Sequence, residues 1–99
     1  MPTQGAIKEK SGFKIREPKM YQVVMLNDDF TSMEFVVSVL VDIFKKDPVN
    51  AERIMLFVHR NGRAVVGKYP YDIAVTKTTA ALDRAKAEGY PFRMTVEEV

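Results

Sequence analysis

Asn27-Asp28-Asp29-Phe30-Thr31-Ser32-Met33-Glu34 lies between two apolar runs, Tyr21 to Leu26 and Met33 to Phe44. An amide and two adjacent carboxylates followed at once by a helical pattern put polar groups where a strand hands over to a helix. Thr31 with Glu34 three residues on reads as a capping box that starts the helix near Ser32. Rigid elements on either side hold such a connection in place while its polar groups stay accessible, a common setting for binding chemistry. On these eight residues alone, a polar turn with a helix cap and a binding corner are both open readings.

Upstream, Met20 to Leu26 is dense in Val, Tyr and Met and bounded by Pro18 and the Asn-Asp-Asp turn, so it reads as a strand. Downstream, only Glu34, Ser38 and Asp42 interrupt the apolar run, four apart on one stripe. A helix apolar over most of its circumference is expected to be largely buried, at the centre of the domain. Asp47 as N-cap and Pro48 at the first helical position open a second helix, which runs to about Arg60 and stops at Asn61-Gly62. Arg63 to Tyr69 is a Val-rich strand.

A third helix follows Pro70 and ends at Gly89. Its stripe Ala74, Thr78, Ala81, Leu82 and Ala85 is small enough to lie close to a sheet, while Lys77, Arg84 and Glu88 are expected in a separate, solvated sector. Phe92, Met94 and Val96 alternate with Arg93, Thr95 and Glu97, the pattern of a half-buried strand. The order β-α-α-β-α-β predicts an α+β domain, a small three-stranded antiparallel sheet with three helices over one face. Residues 1–18 are polar, broken by Gly and Pro and without a period, so a flexible N-terminal arm is expected before a single core domain over 19–99.

Ninety-nine residues make one domain with a real core. The absence of cysteine excludes disulfides, thiolate metal sites and cysteine nucleophiles. No apolar segment reaches the ~20 residues of a membrane helix, and no secretory signal pattern opens the chain; a cytoplasmic protein without membrane contact is expected. The net charge of +2 sits in the first twenty residues, which hold five bases and two acids. The remainder holds ten bases and eleven acids, with none of the basic surplus of a phosphate-binding face, so no nucleic-acid partner is expected of the core.

His59 is the single histidine, late in the second helix beside Val58 and one turn after Met55. It reads as a semi-core residue or as a ligand. One histidine with scattered carboxylates makes a poor zinc site, and no HExxH spacing, phosphate-cradling glycine loop or nucleophile elbow is present, so no metal or cofactor is expected. A small hydrolase or peptidase using Asp28 and His59 with Ser32 would need a fold that sets Ser32 against His59. A nucleic-acid or ribosome module would rest on the basic arm alone. If Asn27, Asp28 and His59 instead face one cleft, they form an acceptor-rich socket whose natural guest is an ammonium group with three donors. Met33, Met55, Val58 and Phe92 would supply an adaptable apolar end, and a cation joined to an apolar side chain is the start of a peptide chain.

Asn27-Asp28-Asp29-Phe30-Thr31-x-Met33-Glu34-Phe35-Val36, then Met55-x-x-Val58-His59-x-x-Gly62, then Thr76-Lys77 resemble the ClpS adaptors of the bacterial ClpAP protease, over roughly Met20 to Val99. The resemblance implies an adaptor of the N-degron (N-end rule) pathway and not an enzyme. Such an adaptor binds protein N-termini bearing Leu, Phe, Tyr or Trp and delivers them to the AAA+ unfoldase ClpA. Carried over, it implies that Asn27, Asp28 and His59 hold the α-amino group and first peptide unit. Thr31, Met33, Met55, Val58 and Phe92 would wall the side-chain pocket, with Met33 as the gate against Ile and Val. Asp72 and Lys77 would fall in the patch that docks on the unfoldase's N-terminal domain, and the arm over 1–18 would serve delivery. Ser32 stands where the family commonly has proline, Phe92 where an aliphatic residue is usual, and Asp72 and Val75 where glutamates are frequent.

Overall fold

The computed structural model describes residues 18–99, so the arm expected over 1–18 lies, but for Pro18, outside the described residues. The elements are β1 (Met20–Leu26), α1 (Met33–Asp42), α2 (Pro48–Asn61), β2 (Arg63–Pro70), α3 (Tyr71–Ala87) and β3 (Arg93–Glu98). This is the expected order, and the three strands form one antiparallel sheet arranged β2-β1-β3.

β1 is central because its apolar run suits a strand enclosed on both faces: Val23, Val24 and Met25 are all buried. Successive side chains of a strand point to opposite faces. Val23 and Met25 therefore enter the core with Phe35, Val39 and Leu40 of α1, Ala51 and Val58 of α2, Ala64 and Val66 of β2, and Met94 of β3. On the other face, Gln22 Nε2 donates to Glu97, which also accepts from Arg63 at 2.9 Å. The small stripe of α3 behaves as expected, with Ala74, Thr78, Ala81 and Ala85 buried.

Three local expectations are corrected. The α1 N-cap is Ser32, whose hydroxyl accepts from Phe35 N–H; Thr31 donates both its N–H and its hydroxyl to the Asp28 carboxylate, which holds it in the preceding turn. α1 is not enclosed all round, since Val36, Val37 and Val41 are only partly buried and Met33 is half exposed; the enclosed element is β1. The outer face of α3 is not simply solvated. Lys77 Nζ donates to the Ile43 carbonyl at 2.9 Å and Arg84 to Asp42 at 2.8 Å, so two long cations fasten α3 to the end of α1.

α2 opens on Asp47, which accepts from Asn50 N–H at 2.8 Å, and closes on Gly62, whose φ of 87° lies in the left-handed region. Gly62 N–H bonds the Val58 carbonyl at 2.8 Å, and its own carbonyl accepts from Asn27 N–H at 2.9 Å. Gly62→Ala forces a Cβ into that conformation and is expected to lower the unfolding free energy by about 1–2 kcal/mol. Urea titration checks this; an unchanged midpoint would contradict the role given to the glycine.

Candidate functional site

The bond between Asn27 and Gly62 explains why the corner after β1 and the last turn of α2 share one place. β1 ends at Leu26, α2 ends at Asn61, and the contact joins the residues immediately beyond. Arg93 of β3 donates to the Asn27 carbonyl at 3.2 Å, so both backbone polar groups of Asn27 are held. His59, three residues before Gly62, is thereby brought to the same hollow as Asn27 and Asp28.

The Asp28 carboxylate organises the turn. Its Oδ1 accepts from Phe30 N–H and Thr31 N–H, each at 2.8 Å, and the Thr31 hydroxyl reaches Oδ2 at 2.8 Å. An aspartate that accepts from backbone two and three residues on builds its own turn. Burial by itself would raise the Asp28 pKa. The hydrogen bonds from Phe30 and Thr31, with the positive charge of Arg93, outweigh it and hold the carboxyl below its usual range. Asp29, next along, is exposed and also lines the hollow.

The hollow is a cleft of about 170 Å³. Drug-sized sites run to roughly 300–1,000 Å³, so this one suits a single side chain. Asn27, Asp28, Asp29 and His59 give it a polar end, while Met33, Val36, Met55, Val58 and Phe92 give it an apolar one. Met55, Val58 and Phe92 are buried and form the floor, whereas Met33 is 50% exposed and stands at the mouth. Phe92 is braced by Phe35, the rings meeting edge-on with centroids 5.7 Å apart.

The structure gathers Asn27, Asp28, Thr31, Met33, Met55, Val58, His59 and Phe92 around this one cleft. Asp72 and Lys77 are elsewhere, on α3. His59 is exposed, not the half-buried residue that its apolar neighbours suggest, because it lies on the side of α2 that opens to the cleft. Sequence reasoning missed Asp29, Met25, Leu26 and Val36 as lining residues. Asp29 had a signal in its pairing with Asp28, and the others are hidden among strand and helix residues of the same type.

The polar end offers acceptors to a cation, and its residues are not arranged for covalent chemistry. Ser32 Oγ accepts from Phe35 N–H and from the Tyr90 hydroxyl, each at 3.1 Å, which occupies it as a cap. Among the described residues no group of three or more His, Asp or Glu could hold a metal ion, and no helix is long and apolar enough to cross a membrane.

Comparison with known proteins gives this cleft a setting. The family model for the ATP-dependent Clp protease adaptor protein ClpS matches residues 16–95. The ClpS adapter protein of Clostridium acetobutylicum is 48% identical over 90 residues, covering 91% of this chain and 89% of that one. That of Herminiimonas arsenicoxydans is 46% identical over 95 residues, covering 96% and 93%. Among solved structures, Agrobacterium tumefaciens ClpS2 bound to L-phenylalaninamide is 42% identical with a TM-score of 0.81, covering 84% of this chain and all of that one. A domain of this fold, matched across nearly its whole folded length by proteins of one kind, belongs to the ClpS family of Clp protease adaptors, which are not enzymes.

Proposed function

We propose that this adaptor selects polypeptides by their first residue, binding a free α-amino group together with a large apolar side chain (Leu, Phe, Tyr or Trp), and passes them to a ClpA-type AAA+ unfoldase. The observation that carries the reading is the cleft, with acceptors at one end and thioether and aromatic groups at the other, in a volume for one side chain. L-phenylalaninamide, the ligand of the Agrobacterium relative, has the same two ends, a free amine and a benzyl group.

Asn27, Asp28 and His59 hold the ammonium and the first peptide unit. Asp28 acts partly by fixing the turn, since its own hydrogen bonds occupy much of its carboxylate, and exposed Asp29 adds negative charge at the same end. Thr31, Met33, Met55, Val58 and Phe92 wall the side-chain slot, with Met33 as the gate. Burying a Leu or Phe side chain contributes about 1.5–3 kcal/mol, and a hydrogen bond to a charged group about 1.5–3 kcal/mol. Micromolar affinity requires about 8 kcal/mol. The apolar slot alone falls well short and the ammonium end would need nearly every bond at its full worth, so both ends must be engaged and an internal Leu is ignored.

Docking on the unfoldase is assigned to the start of α3. Asp72 is exposed there between exposed Tyr71 and Ile73. Lys77 donates one ammonium hydrogen to Ile43 and, among the described residues, keeps its other donors for a partner. The segment before Lys19 serves delivery.

A fluorescence titration with peptides beginning Leu, Ile and N-acetyl-Leu tests the cleft. Acetylation is expected to weaken binding at least about tenfold, the effect of losing one charge-assisted hydrogen bond, and Met33→Ala to admit Ile. Equal affinity for the free and acetylated amines would defeat the proposal.

Asp28 also makes stability depend on pH. Its folded pKa is lowered, so its contribution is complete above the unfolded value of about 3.9 and is lost as pH falls through the folded one. The stability of Asp28→Asn is expected to decline less than that of the wild type on acidification below about pH 4, as read by denaturant melts; parallel acid limbs would refute this.

For docking, Asp72→Lys is expected to abolish capture on an immobilised ClpA N-terminal domain while leaving peptide affinity unchanged. Retained capture would move the docking surface away from α3.

A further inference from the structure

We infer that Tyr90 is a positioning residue for the first-residue pocket: its hydroxyl, bonded to Ser32, fixes the start of α1 and with it the side chain of Met33. The inference rests on the adaptor reading of the cleft and adds to it a residue outside the cleft lining.

Tyr90 lies between α3 and β3, just after Gly89, whose φ of 79° turns the chain. Its backbone N–H bonds the Ala85 carbonyl at 2.9 Å, so the residue is tied to the last turn of α3. From there its ring packs on Phe35, with centroids 5.0 Å apart, and its hydroxyl donates to Ser32 Oγ at 3.1 Å. Ser32 Oγ in turn accepts from Phe35 N–H at 3.1 Å, the capping bond of α1. A serine hydroxyl has two lone pairs, and these two donors use both.

Met33 is the residue immediately after this cap and is half exposed. Packing leaves its three side-chain torsions some freedom, so the backbone at the head of α1 sets the point from which its thioether reaches the mouth. Helix ends leave orphan N–H groups and fray unless capped. A frayed first turn would let Met33 swing away from the mouth of the slot. Phe35 also braces Phe92 across 5.7 Å, so the gate and the floor of the slot share one support.

Tyr90→Phe keeps the ring on Phe35 and deletes only the hydroxyl. The affinity ratio of Leu- over Ile-initiated peptides is expected to fall roughly three- to tenfold, the span of one hydrogen bond. Amide hydrogen exchange at Phe35 should quicken, while the ratio of Leu to acetyl-Leu stays fixed because the ammonium end is untouched. In a Ser32→Pro background, which lacks the acceptor, Tyr90→Phe should change the Leu-to-Ile ratio no further. An unchanged ratio in the single variant overturns the inference, whether or not Phe35 exchange quickens. A wild type that binds no Leu-initiated peptide would sink the adaptor reading and this inference together, and that control tells the two failures apart.

Discussion

The hydrogen bond from Asn27 N–H to the Gly62 carbonyl, 2.9 Å long, joins two chain reversals that are far apart in sequence. On one side is the corner that ends the central strand; on the other is the left-handed glycine that ends α2. Each reversal is self-sufficient, the first through the Asp28 carboxylate and the second through the bond from Gly62 N–H to Val58. Joining them brings His59 and Met55 to the corner that carries Asn27 and Asp28. Without that join, α2 would still pack on β2 and share the core, but its last turn would have no fixed relation to the corner.

Local polar chemistry and long-range packing divide the work around the cleft. The carboxylate of Asp28 takes up the orphan N–H groups of the turn, and Ser32 takes up one at the head of α1. These bonds set the mouth of the cleft. Its floor comes from Met55, Val58 and Phe92, which are buried because three elements converge beneath the corner. A firm floor and a half-exposed methionine at the mouth leave the cleft adaptable, since an unbranched thioether changes rotamer with little strain.

The cations of α3 show how one side chain can serve the fold and remain available. Lys77 is drawn in twice, by the Ile43 carbonyl and by the Tyr69 ring, whose centroid is 5.7 Å away. Arg84 reaches Asp42 in the same region. A carbonyl just past a helix C-terminus carries partial negative charge, so a lysine there stabilises the end of α1. Substituting Lys77 would loosen the seam between α3 and the end of α1, whereas Asp72 is exposed near the head of α3.

Periodicity, caps and breakers act within a few residues, so the elements and their order are legible in the chain before it folds. The alternation from Phe92 to Glu97, the Asp47-Pro48 start and the Asn61-Gly62 stop are all written locally, and each appears as an element boundary or a buried face. The polar corner was also legible as a corner, and the spaced motifs around Met33 and His59 pointed to the family. The cap at α1 is local too, but the capping-box pattern misplaced it: Thr31 bonds Asp28 and Ser32 caps the helix, each contact spanning three residues. Tertiary structure alone exposed His59, drew Lys77 onto the end of α1, added Asp29 and Val36 to the cleft and set Tyr90 against Ser32, 58 residues away. Those outcomes depend on which distant groups compete for one donor or one patch of surface, and a pattern confined to neighbouring residues carries no record of that competition.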